Sequence, residues 1–169
     1  MAARTLTCDL VDSTGNLSPM AAAWVRAKAV DAGALLRATG EVRVRVIDDA
    51  EMAAAHLRFA GVEGTTDVLT FDLTDAEERP EKPTISVMCQ DFNRSLYVLD
   101  ADILVCLDEA DRRARAGGYA VERELLLYVL HGMLHCLGWN DHDESEACEM
   151  HRLEDEVLSG IGVGAVYGV

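Results

Sequence analysis

The 169-residue sequence predicts an α+β fold, a single domain with a central mixed sheet flanked by helices. Three observations predict it. Short runs of strand character come early and are interleaved with helical segments. The last third of the chain is helical in pattern. Half of the residues are hydrophobic, with no internal repeat and no linker-like stretch, which suits one core in a chain of this length.

Taken in order, residues 4–12 alternate polar and apolar side chains as a strand does. Ser18 followed by Pro19 marks a helix start. Its apolar residues Met20, Trp24, Val25, Val30, Leu35 and Leu36 recur near helical spacing, and Gly40 closes it. Residues 41–48 alternate cleanly, with Val42, Val44 and Val46 toward the core and Arg43 and Arg45 toward solvent. A short Ala-rich helix over 50–59 ends near Gly61. The runs 66–73, 84–88 and 101–107 have strand composition, and the charged stretch 74–83, with Pro80 and Pro83, is a surface loop. Helices follow over 108–116, stopped by Gly117 and Gly118, over 120–137, stopped by Gly138, and over 143–158. The Gly-rich tail at 159–169 is expected to fray.

Fifteen Lys and Arg against thirty Asp and Glu give a net charge of −15. A general nucleic-acid coat protein needs diffuse positive charge to neutralise phosphate, so that class is excluded, while a local RNA site is not. Arg112, Arg113 and Arg115 form the one dense basic cluster, to which Arg43, Arg45 and Arg58 could add. The same cluster has Asp108, Glu109 and Asp111 beside it and equally suits a solvated, ion-paired helix face. The five cysteines are scattered, with no CxxC pair, as in a reducing compartment. The N-terminus lacks the apolar core of a signal peptide. The longest uncharged run, Leu125 to Asn140, is shorter than the ~20 apolar residues of a spanning helix. The expected location is the cytoplasm, with no membrane contact.

Three of the five histidines fall between residues 131 and 142. His131 and His135 lie four apart on a predicted helix, so both imidazoles leave one face about a turn apart, the spacing by which a helix offers two nitrogens to one cation. Gly138 ends the helix, and the chain from there has ample reach to bring His142 back to the same ion. Three neutral imidazoles and one open position describe a catalytic rather than a structural zinc site. In the peptidase pattern HExxH a Glu follows the first His as general base; here that position is Gly132, which argues against a conventional metalloprotease.

The run HGMLHCLGWNDH resembles the HGxLHxxGxDH signature of the YbeY family of bacterial ribosomal-RNA maturation endoribonucleases. TTDVLTF at 65–71 is similar to the family's PTDVLSF strand, DADILVCLDEA at 100–110 to its GDIxIS segment, and the acidic helix after His142, with Glu149, Met150 and Leu153, follows the same pattern. The resemblance covers roughly residues 45–158. It implies a zincin-like histidine helix and one divalent ion, zinc in the first instance, on His131, His135 and His142. It implies cleavage of single-stranded RNA at the 3′ end of small-subunit ribosomal RNA and a role in ribosome quality control, with a ribosomal or assembly-factor protein as partner. Two departures stand out. The third histidine lies one residue further from the second than in the signature. The family's Arg in a YRG context is Ala60 here, within Phe59-Ala60-Gly61, and Arg58 lies two residues earlier.

Phosphodiester cleavage needs an activated nucleophile and relief of negative charge; zinc supplies both by acidifying water and polarising phosphoryl oxygen. Arg58 is the candidate cation at the phosphate, though it also suits an exposed helix end. Asp141 could orient a ligand histidine or cap the last helix. Thr66 and Asp67, at the start of the TDVLTF strand, are candidate substrate contacts. Two other functions fit the same residues: a non-catalytic ribosome-assembly factor with a structural ion, and a metal-dependent hydrolase of another substrate.

Overall fold

A computed structural model of the chain describes residues 5–78 and 96–168. It contains β1 (Leu6–Asp12), α1 (Pro19–Leu35), β2 (Ala38–Ile47), α2 (Asp49–Ala60), β3 (Val68–Asp72), β4 (Tyr97–Cys106), α3 (Leu107–Gly117), α4 (Val121–Cys136) and α5 (Glu144–Gly160). The fold is α+β. The strand expected at 84–88 and part of the loop expected at 74–83 lie outside the described residues.

The sheet runs β1-β2-β4-β3. β1 and β4 pair parallel with β2, and β3 pairs antiparallel with β4, so the sheet is mixed and β3 is an edge among the described strands. Alternation sends side chains to two faces. Val44, Val46, Ile103 and Val105 join the main core with α1, α4 and α5. Ile47, Cys106, Leu69 and Leu104 pack with Met52 of α2 in a smaller cluster.

Ser18 caps α1, its hydroxyl accepting from the Ala21 N–H at 3.1 Å. The buried stripe of α1 is made of small residues, Ala21, Val25, Ala29 and Ala32, while Met20 stands 82% exposed. The close approach has a visible cause: a Cβ on Gly33 would lie 2.4 Å from Leu6 Cδ2. Gly40 is not the stop of α1. The helix ends at Leu35, Arg37 takes φ 56°, and Gly40 already belongs to β2. There a Cβ would lie 2.3 Å from the Leu99 carbonyl oxygen, so that position admits only glycine at this strand spacing. β4 begins four residues before its apolar run, because Tyr97 to Asp100 continue in register with Ala38 to Glu41.

The described end of the tail, expected to fray, is tied to α5 by hydrogen bonds. The Asp155 carboxylate of α5 accepts the backbone N–H groups of Val166, Tyr167 and Gly168 at 2.6–3.0 Å. Among the described residues no helix is long and apolar enough to cross a membrane.

Candidate metal centre

α4 is buried along most of its length, with Leu126, Leu130, Met133 and Leu134 wholly inaccessible. His131 and His135 leave the side that faces β3 and meet edge to face, their Nε2 atoms 3.0 Å apart. Gly132 explains how the helix comes so near the sheet. A Cβ there would lie 2.7 Å from Thr70 Oγ1 and 3.0 Å from Ile103 Cδ1. The position that carries the peptidase Glu in HExxH therefore has no room for a side chain here.

After α4 the chain reverses at Gly138, which takes φ 92°, a region open to glycine. Trp139 anchors the return. Its ring is buried, and its backbone N–H donates to the Leu134 carbonyl at 3.0 Å. Its own carbonyl accepts from His135 Nδ1 at 3.0 Å. Asp141 then comes back over the histidines, with Oδ2 3.6 Å from His131 Nε2 and Oδ1 3.7 Å from His135 Nε2. Asp143, rather than Asp141, caps α5, accepting from the Glu146 N–H. α5 in turn places the fully buried Glu154 with Oε1 2.8 Å from His131 Nδ1.

These partners fix the protons. A carboxylate at one Nδ1 and a carbonyl at the other both favour N–H there, so in the neutral rings each Nε2 carries the lone pair. The two lone pairs and the Asp141 carboxylate face one another within 4.8 Å. Electron pairs that converge in this way repel unless a proton or a cation lies between them. His131, His135 and Asp141 therefore form a group that could hold a metal ion. The same field moves the imidazoles apart in acidity. Burial lowers the affinity of His131 for a proton, but Glu154, by hydrogen bond and charge, with Asp141 and Asp67 behind it, outweighs burial and raises its pKa. Burial and the neighbouring charge of His131 push His135 down.

Two cavities flank the pair. One, of about 350 Å³, runs along β3 from Asp67 to Asp72 and ends on His131 and His135. The other, of about 370 Å³, lies beyond His131 and Asp141, toward α3, the start of α4 and the tail. Asp67 borders both, and its Oδ1 accepts from Thr66 Oγ1 and from the Val68 N–H; Thr66 itself lines neither cavity. His142, expected as a ligand, is exposed and is not in the metal-binding group, whose third member is Asp141. The reason is the extra spacing: six positions after His135 stands Asp141, and His142 falls one further on. Arg58 is not beside the histidines. It lies over Phe59 and borders a separate apolar hollow with Phe71, Leu73 and Leu104, on the α2 side of the sheet. The arginine cluster is ion-paired: Arg112 with Asp49 and Glu109, Arg113 with Glu109, and Arg115 with Asp111.

Sequence reasoning missed Glu154. Its signal was present, since Met150, Leu153, Glu154, Val157 and Leu158 share the buried stripe of α5, and an acid there demands a partner. His151, outside the signature, stacks its ring on Tyr167 and borders the second cavity.

The sequence profile of the family described as Endoribonuclease YbeY matches residues 13–162. The chain belongs to the YbeY family. Endoribonuclease YbeY of Desulfitobacterium hafniense is 35% identical over 123 residues, which cover 73% of this chain and 73% of that one. The Frankia alni protein of the same name is 34% identical over 119 residues, 70% of this chain and 62% of that protein's length. The Micrococcus luteus protein is 29% identical over 157 residues, 92% of each chain. The solution structure of TM1509 from Thermotoga maritima superposes with a TM-score of 0.52 at 22% identity, covering 92% of this chain and 90% of that one, a likeness of fold. Within this YbeY chain the HGMLH half of the signature lies on α4, and its WND continuation is the return that carries Asp141.

Proposed function

We propose that this YbeY-family chain is a metal-dependent endoribonuclease. Its substrate is single-stranded RNA, and it acts in maturing the 3′ end of small-subunit ribosomal RNA and in ribosome quality control. In this reading the whole chain works as one cytoplasmic unit, recruited by a ribosomal or assembly-factor protein. The observation that carries the reading is the convergence of two bare Nε2 lone pairs and one carboxylate, each imidazole held from behind by a buried acceptor. We assign the ion, zinc in the first instance, to His131, His135 and Asp141.

A divalent ion bound there supplies positive charge that polarises a phosphoryl oxygen and acidifies a water. The protein's own groups do the rest. Glu154 keeps the proton of His131 on Nδ1, and the Trp139 carbonyl does the same for His135, so both rings hold their orientation. Asp67 stands where the two cavities meet, and we assign it to accept the proton released by the attacking water. Arg58 has no part at the phosphate in this reading, since it sits with the separate hollow on the α2 side. The charge that offsets the phosphate is the ion's own.

The test combines zinc affinity with cleavage of a single-stranded RNA for the parent protein and for His131→Ala, Asp141→Ala and His142→Ala. Loss of both affinity and cleavage in the first two, with the third near the parent, is the expected result. Ion-dependent folding without any cleavage favours the assembly-factor alternative, and chelator-sensitive turnover of another ester or amide favours the other hydrolase.

A further inference from the structure

The second cavity is not needed to hold an ion, and its walls are unusual for a protein so short of aromatic residues. Tyr119 and Tyr128 form one side, and the stacked pair of His151 and Tyr167 forms another, the two rings 3.9 Å apart and 16° from parallel. Leu127 and Val166 complete the apolar surface. The charges are lopsided. Asp67, Glu124 and Asp141 face the space, and the one guanidinium among its described lining, that of Arg113, already bonds Glu109 at 3.0 Å. An anionic phosphate is disfavoured inside such a pocket, whereas a flat uncharged heterocycle is favoured by the rings. The volume of about 370 Å³ lies at the small end of ligand pockets, enough for one ring system and far too little for a duplex. Because the cavity shares His131 and Asp141 with the metal centre, whatever fills it is the immediate neighbour of the group that reacts there.

We propose that this cavity seats one unpaired nucleobase of the RNA, belonging to the nucleotide next to the phosphate at the histidine pair. The proposal rests on the ribonuclease reading above and adds its substrate subsite. A base reaches the pocket only after leaving its helical stack, so the subsite itself selects single strands. The tail is then part of the site: Asp155 pins the backbone of Val166 to Gly168, and that holds Tyr167 against His151.

The experiment uses the full-length, zinc-loaded protein and a set of short single-stranded RNAs in which 2-aminopurine is moved through each position around the cut. Fluorescence on mixing and the steady-state constants are read for the parent, His151→Ala, Tyr167→Ala and Tyr167→Phe. The proposal expects quenching confined to the position beside the cut. It expects both alanine variants to lose the quench and to raise KM by about 5- to 150-fold, the range that base stacking spans on alanine substitution, with a smaller change in kcat. Tyr167→Phe keeps the ring and is expected to keep the quench. His151→Ala leaves the tail anchor at Asp155 in place, so it reports even if Tyr167→Ala fails to fold. Cleavage by the parent with no position quenched, or a quench and KM that survive His151→Ala, overturns the subsite alone. No cleavage by the parent overturns the ribonuclease reading and the subsite with it.

Discussion

Glu154 has no exposed surface, and its Oε1 lies 2.8 Å from Nδ1 of His131. A carboxylate behind a ligand imidazole sets its tautomer and strengthens it as a donor, and removing such a group commonly weakens metal binding 10–100-fold. Glu154→Gln is therefore expected to lower zinc affinity within about that range while the fold persists, checked by competition with a chromogenic chelator. Asp141 and His142 divide more sharply. Asp141→Ala removes a donor and is expected to weaken the ion well beyond the Glu154 variant, while His142→Ala leaves affinity near that of the parent; equal losses in both would return His142 to the site. At this scale the sequence was read well where periodicity spoke. His131 and His135 follow from their spacing alone. The place of Asp141 did not, because a one-residue offset decides whether a carboxylate or an imidazole comes back over the pair, and loop geometry after Gly138 is not visible as a period. Arg58 lies away from the histidines for a related reason: standing two residues before the family's Arg position says nothing about which face of the sheet α2 covers.

α4 and β3 approach until Gly132 nearly touches Thr70 and Ile103. Gly132→Ala forces a Cβ into that contact, which costs about 1–3 kcal/mol by overpacking and regains up to ~1 kcal/mol of helix propensity. A net loss of about 1–2 kcal/mol in urea unfolding is expected; a gain in stability would show that the helix has room to move. α2 and α3 are joined by a polar clasp. Asp49 accepts from the Arg112 guanidinium at 2.7 and 2.8 Å and from the Cys106 thiol at 3.3 Å. Arg112 is the chief cause that holds the Asp49 pKa at about 2 rather than 3.8. Since the folded value lies below the unfolded one, this contribution is present above pH 3.8 and fades as pH falls toward 2. Asp49→Asn is expected to lower stability at neutral pH and to flatten that acid limb, read by unfolding curves at several pH values. Helix ends were largely legible: Ser18, Gly61 and Gly118 act as their residue types suggest. Gly40 misled, because a glycine that lets two strands approach and a glycine that stops a helix look alike in sequence.

Across the molecule the net charge is −15, and among the described residues Arg43, Arg45, Arg112, Arg113 and Arg115 are all paired with carboxylates. RNA binding should then involve few phosphate contacts and depend only weakly on salt. For a single strand held by about two such contacts, KM is expected to rise less than about tenfold between 50 and 200 mM salt; a steeper rise would point to a basic surface beyond those pairs. The C-terminal tail closes the fold against α5 through Asp155. Asp155→Ala strands three backbone donors and is expected to cost about 1–3 kcal/mol, seen as a lower Tm, and also to weaken the seat of Tyr167. Composition alone could not reveal this anchor, since a Gly-rich end reads as loose until a carboxylate is found beneath it. The most direct test of the whole account is a time course of single-stranded RNA cleavage by the purified protein before and after chelation, followed by return of one equivalent of zinc. The account predicts that chelation stops cleavage and that the returned ion restores it; cleavage at full rate by the chelated protein would contradict it.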